Sequence, residues 1–141
     1  RSLVIENAAG QGTNVGIKFE EIQHIIDHID DKKRIGVCID TQHAWASGYD
    51  WKNDYDNIWD NFDDTIGIEH LVALHLNDSK SDVGSRVDRH DNIGIGKIGK
   101  EAFQKIMQDK RLENLAGYLE TPGGAEMWKP EIAILRKMSE K

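Results

Sequence analysis

Three histidines and four carboxylates, Glu6, Asp40, His43, His75, Asp88, His90 and Glu120, are spread along the chain, nearly all of them where a short apolar run ends. Imidazole and carboxylate donors are the usual ligands of zinc and related divalent ions. The pattern is therefore that of a metalloenzyme. Each residue alone has a plainer reading. Glu6 could be a surface acid or a neighbour of a helix cap. Asp40 and His43 form D-x-x-H, which a turn after a strand can aim at one point, and Asp88-Arg89-His90 is a short extended spacing that places both outer side chains on one side. The conjunction carries the argument, because His75 falls at the same strand-end level as two of the carboxylates, where packing alone does not explain it.

The runs that must position these groups are Leu3-Val4-Ile5, Ile35 to Ile39, Leu71 to Leu74 and Leu115 to Leu119. Their length and aliphatic content predict buried strands. Between them, apolar residues recur at helical spacing: Phe19, Ile22, Ile25, Ile26 and Ile29; Tyr55, Ile58, Trp59, Phe62 and Ile66; Ala102, Phe103, Ile106 and Met107; Ile132, Leu135 and Met138. Strand and helix thus alternate four times, which predicts a parallel sheet. The strand-end candidates Glu6, Asp40, His75 and Glu120 are 34, 35 and 45 positions apart, close to one repeat of a (β/α)8 barrel. Strand alternation places Gly36, Cys38 and Asp40 on one face and Val37 and Ile39 on the other. Likewise Ala73 and His75 oppose Leu74 and Leu76. Ligands should then ring the barrel mouth, with helices outside.

A complete barrel takes about 250 residues, and this chain has 141. It also begins with Arg1 and reaches its first strand by residue 3. The expectation is a single domain over residues 1–141 that forms the C-terminal half of a TIM barrel. Two open sheet edges would then need cover from the other half or from a second copy. Hydrophobic residues at 38%, charged residues at 30% and only two prolines argue for a folded interior rather than disorder. No apolar run approaches the roughly 20 residues of a membrane span, and no signal-peptide pattern is present. The single cysteine, Cys38, permits no disulfide within the chain and reads as a buried small hydrophobe. An intracellular protein is expected, cytoplasmic or, in a eukaryote, nuclear.

His24, His28 and His70 fall within or just beyond helical segments and read as surface or capping residues. Gly94-Ile95-Gly96 suggests a loop that closely approaches a ligand. Trp45, Trp51, Trp59 and Trp128 read as packing residues, with Trp45 near enough to D-x-x-H to line a pocket.

Five collinear blocks resemble the signatures of the endonuclease IV family of abasic-site endonucleases. They are Ile5-Glu6-Asn7-Ala8-Ala9-Gly10-Gln11-Gly12, Gly36 to Ala44, His75-Leu76-Asn77-Asp78-Ser79-Lys80, Gly84 to His90, and Leu119-Glu120-Thr121-Pro122. The resemblance implies a xylose-isomerase-like (β/α)8 barrel with three zinc ions at its mouth. Glu6 would bridge two ions, Asp40, His75 and Glu120 would complete one of those two sites, and His43, Asp88 and His90 would hold the third ion. Two further histidines of the family come from its N-terminal half, so fewer than three ions are expected on this chain alone. The implied reaction is hydrolysis of the phosphodiester 5′ to an abasic site in double-stranded DNA, leaving a 3′-hydroxyl and a 5′-deoxyribose phosphate. Glu6 and Glu120 are its catalytic carboxylates, and zinc lowers the pKa of water from about 15.7 toward 7.

Lys80, Arg86, Arg89 and Lys97 are the candidates for contact with backbone phosphates. A formal charge of −7 is unusual for a DNA-binding surface, but three divalent ions would cancel most of it. A sugar isomerase or epimerase of the xylose-isomerase-like barrels is the rival reading. It needs only Glu6, Asp40, His75 and Glu120, and leaves His43, Asp88 and His90 unexplained. An inactive fragment lacking the N-terminal ligands is a third.

Overall fold

A computed structural model describes residues 3–140. In chain order the elements are β1 (Leu3–Glu6), α1 (Phe19–Asp27), β2 (Ile35–Asp40), α2 (Thr41–Ser47), α3 (Tyr55–Thr65), β3 (Leu71–His75), β4 (Asp78–Ser79), β5 (His90–Asp91), α4 (Lys100–Gln108), β6 (Ala116–Tyr118) and α5 (Gly124–Ser139). The four apolar runs form one sheet in the order β1-β2-β3-β6, with every pairing parallel. Four βα units of a TIM barrel are therefore present.

The alternation of faces follows the pleat. Val37, Ile39, Leu74 and Leu76 are buried in one cluster with Phe19 and Ile22 of α1, Phe62 of α3, Phe103 of α4 and Leu135 of α5. On the opposite face Asp40 pairs directly with His75 and Cys38 with Glu6, so the ligands come to nearly the same height. The outer strands β1 and β6 leave Leu3, Val4 and Tyr118 exposed. These are the two open edges that the barrel reading anticipates. Among the described residues, no helix is long and apolar enough to cross a membrane.

Three local structures differ from the sequence expectation. The D-x-x-H segment is not a turn but the start of helix α2. Asp40, the last residue of β2, is also its N-cap: its side chain accepts from Gln42 N at 2.8 Å and His43 N at 3.0 Å. Gly48 ends the helix at φ 111°.

The long excursion after β3 contains a two-stranded antiparallel ribbon, with Asp78 opposite Asp91 and Ser79 opposite His90. That ribbon carries Asp88 and His90 back over the sheet.

The Gly94-Ile95-Gly96 loop closes on the protein's own Asp78 rather than on an external ligand. Gly94 N and Gly96 N donate to Asp78 Oδ2, and Ile98 N donates to Oδ1 at 2.9 Å.

Candidate metal centre

Glu6, Asp40, His75 and Glu120 stand at the C-terminal ends of the four sheet strands or just beyond them, as the parallel topology requires. His75 Nδ1 lies 2.9 Å from Glu6 Oε1, 3.3 Å from Glu120 Oε2 and 3.8 Å from Asp40 Oδ2. One ligand atom from each of the four lies within 4.8 Å of the others. A second group, Asp40, His43 and His90, meets the same criterion. Asp88 joins it through Oδ2, 3.4 Å from His43 Nε2, and Oδ1, 3.3 Å from His90 Nε2. All seven residues singled out in the sequence thus converge on one mouth, and Asp40 belongs to both groups.

The tautomers of the second group decide what it can hold. His43 Nδ1 is 2.8 Å from the Asn7 carbonyl, and His90 Nδ1 is 3.1 Å from the Glu120 carbonyl. A carbonyl only accepts, so each Nδ1 carries a proton and, in the neutral ring, each Nε2 is left with a lone pair. Those lone pairs face carboxylate oxygens, which also only accept. His90 Nε2 is buried and has no hydrogen-bond partner among the described residues. Acceptors turned toward acceptors need a cation between them, and a divalent ion satisfies imidazole and carboxylate together. The residues therefore fit a metal ion.

The electrostatics agree. A hydrogen bond from His75 holds the Glu6 carboxyl below its ordinary range. Burial pushes Asp40 up, against the pull of His43 and His90. Burial pulls His43 down, but Asp40, the Asn7 carbonyl and Asp88 outweigh it and leave its pKa above the usual value. His75 is pushed up to about 11 by hydrogen bonds with the Cys38 side chain and Glu6. Cys38 is buried, as its strand position suggested, but it also touches the site.

In the metal-free chain His75 is consequently protonated at neutral pH. Its protonation stabilises the fold fully below pH 6.5, and that contribution is lost as the pH rises toward about 11. A metal ligand must be neutral, so loading the site expels protons. We expect zinc addition to weakly buffered protein at pH 7 to release protons, read with an indicator dye, and zinc affinity to rise from pH 6 to pH 8. No proton release and a pH-independent affinity would show that these histidines are not ligands.

Several residues that the sequence reading passed over hold the ligands in place. Asn7, next to Glu6, accepts from Asp40 N at 2.7 Å through Oδ1 and donates to Asp40 O at 3.2 Å through Nδ2. Asn77 donates to Asp40 Oδ2 at 2.8 Å and accepts from Glu120 N at 2.8 Å. Gln42 donates to Ser79 Oγ and to Val87 O, the residue before Asp88. Glu131, 3% exposed, accepts from Ile93 N and from Thr121 Oγ1 beside Glu120. For Asn7, Asn77 and Gln42 the signal was a polar residue one or two places from a ligand, whereas Glu131 lies within α5, eleven positions past Glu120.

Lys80, Arg86, Arg89 and Lys97 are all exposed on the segment that carries Asp88 and His90. Lys97 pairs with Asp82 at 3.2 Å, and Arg86 has φ 57°. Trp45 lies in the core, donating to Ser81 O, rather than lining a pocket. Trp51 and Trp59 are buried, and Trp128 is partly so. His24 is exposed and His28 caps α1. His70 differs from the surface expectation: it ends a 3-10 turn before β3, partly covered and with Nδ1 buried.

Comparison with known proteins places this arrangement. The family model described as "Xylose isomerase-like TIM barrel" matches residues 2–138. A protein named "Probable endonuclease 4" from Phocaeicola vulgatus is 51% identical over 133 residues, covering 94% of this chain and 48% of that protein. Another of the same name, from Methanosphaera stadtmanae, is 48% identical over 135 residues, covering 96% and 49%. The crystal structure of endonuclease IV from Thermus thermophilus superposes with a TM-score of 0.88 at 38% identity, over 98% of this chain and 49% of that one. The chain spans about half the length of the curated relatives it matches.

Proposed function

Since the chain belongs to the xylose isomerase-like TIM-barrel family, we propose that it is the C-terminal half of an endonuclease IV barrel, a zinc-dependent enzyme that cuts DNA 5′ to abasic sites. The observation that carries this reading is the second ligand group. Glu6, Asp40, His75 and Glu120 would serve a one-metal sugar isomerase equally well. His43, Asp88 and His90, with imidazole lone pairs turned onto carboxylates, have no role there. Relatives that match nearly all of this chain and bear the name endonuclease 4 support the same choice.

Glu6, Asp40, His75 and Glu120 would hold one ion, and His43, Asp88 and His90 another. Bound there, zinc would supply Lewis acidity toward a phosphodiester and acidify water at neutral pH. The chain's own residues do the rest. Glu6, kept ionised and within 3.5 Å of both His75 and His43, orients the attacking water at the centre of the mouth. Glu120, 49% exposed at its side chain, lies 3.3 Å from the same His75 Nδ1 that Glu6 approaches, where it can accept a proton from that water. Asp40 is fully buried and acts by holding charge, not by meeting substrate. Arg86, Arg89 and Lys80, exposed and projecting from the ribbon segment, meet backbone phosphates. An abasic nucleotide suits such a mouth because extruding it costs no base unstacking.

On the isolated chain, we expect elemental analysis to find fewer than three tightly held zinc ions, with two as the upper bound set by its own ligands. Three per monomer would contradict the assignment of a further ligand set to the other half of the barrel. Substituting His43 by alanine should remove one of the two and leave the other, whereas loss of one common ion on mutating either His43 or Glu6 would favour the isomerase.

A further inference from the structure

Asn77 is not a ligand by type, yet it touches the site at two points. Its side chain is fully buried. Nδ2 donates to Asp40 Oδ2 at 2.8 Å, and Oδ1 accepts from Glu120 N at 2.8 Å. Its backbone is bolted separately to the first residue of α2: Asn77 N donates to Thr41 Oγ1 at 2.9 Å and Thr41 Oγ1 donates to Asn77 O at 2.7 Å.

The bond to Asp40 falls on the oxygen that matters. A carboxylate offers about four acceptor directions. Oδ1 of Asp40 is spent on capping α2, with Gln42 N and His43 N. Oδ2 is the oxygen within 3.9 Å of His43, His75 and His90. With Asn77 occupying one direction on Oδ2, a single direction remains, and the amide fixes where it points. Asp40 can then serve a cation through Oδ2 alone.

The second bond extends the sheet. Pairing of β3 with β6 ends at His75 opposite Tyr118, followed by Leu76 N donating to Tyr118 O at 2.7 Å. Among the described residues, strand pairing goes no further. The Asn77 amide takes over as the acceptor for Glu120 N, which sets the height at which Glu120 leaves the sheet.

On the metal-centre reading above, we propose that Asn77 is a positioning residue: one buried amide sets the free lone pair of Asp40 and the placement of Glu120, and so the geometry of the Glu6, Asp40, His75 and Glu120 group. Outer-shell partners of this kind tune affinity by about 10- to 100-fold.

The test uses Co(II), whose visible band reports ligand number and geometry. Asn77→Ala is expected to weaken Co(II) binding at that group by about 10- to 100-fold and to shift the band. Thr41→Val, which removes the neighbouring bolt from α2 to the Asn77 backbone but no contact with a carboxylate, should lower the unfolding temperature and leave the band in place. Should Asn77→Ala not fold, Asn77→Asp keeps the shape and the acceptor for Glu120 N while removing the donor to Asp40, and it too should shift the band. An unchanged band and affinity in a folded Asn77 variant, or an equal shift in Thr41→Val, would overturn the proposal while leaving the metal reading intact. No Co(II) band in the unaltered protein would overturn both.

Discussion

Asp40→Asn is expected to lower divalent-metal affinity by about 100-fold at the Glu6, Asp40, His75 and Glu120 group, the largest loss from any single conservative change in the chain. The magnitude is the upper end of what losing even an outer-shell partner costs, and Asp40 is closer than that. Its Oδ2 is 3.8 Å from His75 Nδ1, 3.9 Å from His43 Nε2 and 3.7 Å from His90 Nε2. Asparagine caps helices as well as aspartate does, so Oδ1 of the replacement keeps α2 in place. The amide nitrogen, however, would meet the Asn77 donor and offer the metal no charge. Competition against a chromophoric chelator measures the effect, and an unchanged affinity at that group would show that Asp40 is not a ligand there.

Asp78→Ala is expected to cost about 3–5 kcal/mol of stability, within the range reserved for breaking buried networks. The Asp78 carboxylate is fully buried and accepts from Ser79 N at 2.8 Å, Gly94 N at 2.9 Å, Gly96 N at 3.2 Å, Ile98 N at 2.9 Å and Gly99 N at 3.3 Å. Burial raises its pKa against those donors. Alanine would orphan several backbone N–H groups, each costing about 1–3 kcal/mol when buried unpaired. Gly96 shows how close the wrapping is, since a Cβ there would lie 2.5 Å from Asp78 Oδ1 and from Ser79 O. Asp78 also anchors the ribbon that brings in Asp88 and His90, so the variant should lose metal at the His43 group before the Glu6 group. Urea unfolding and metal counting check the two parts. A loss under about 1 kcal/mol would mean that the loop does not depend on its carboxylate.

How far the sequence disclosed this structure depends on the physics of each part. The strands leading to Glu6, Asp40, His75 and Glu120 were legible because each is a short aliphatic run bounded by polar or turn residues. The helices α1, α3 and α4 were legible from their apolar spacing. Helix α2 was not, because it begins on the residue where β2 ends and its seven residues are nearly all buried, leaving no polar face to mark a period. The two-residue strands β4 and β5 are built of polar residues and held by the Asp78 knot, so no hydrophobic pattern records them. Residue type and position within the strand revealed the seven ligands. Asn7 and Asn77 stayed hidden because an asparagine after a strand reads as a turn residue, and only the fold shows that both grip Asp40. The Gly94-Ile95-Gly96 loop was recognised as a close approach, but its partner came from within the chain.

We propose that this half-barrel supplies the metal centre of an enzyme that hydrolyses DNA 5′ to abasic sites. The most direct measurement is incision of a duplex carrying one synthetic abasic site by a full-length, zinc-loaded protein containing this chain, with both ends of the nick identified. The account predicts cutting on the 5′ side, a 3′-hydroxyl and a 5′-deoxyribose phosphate, and loss of cutting when Asp40 is replaced by asparagine. An intact duplex, together with interconversion of an aldose and a ketose by the same preparation, would contradict it.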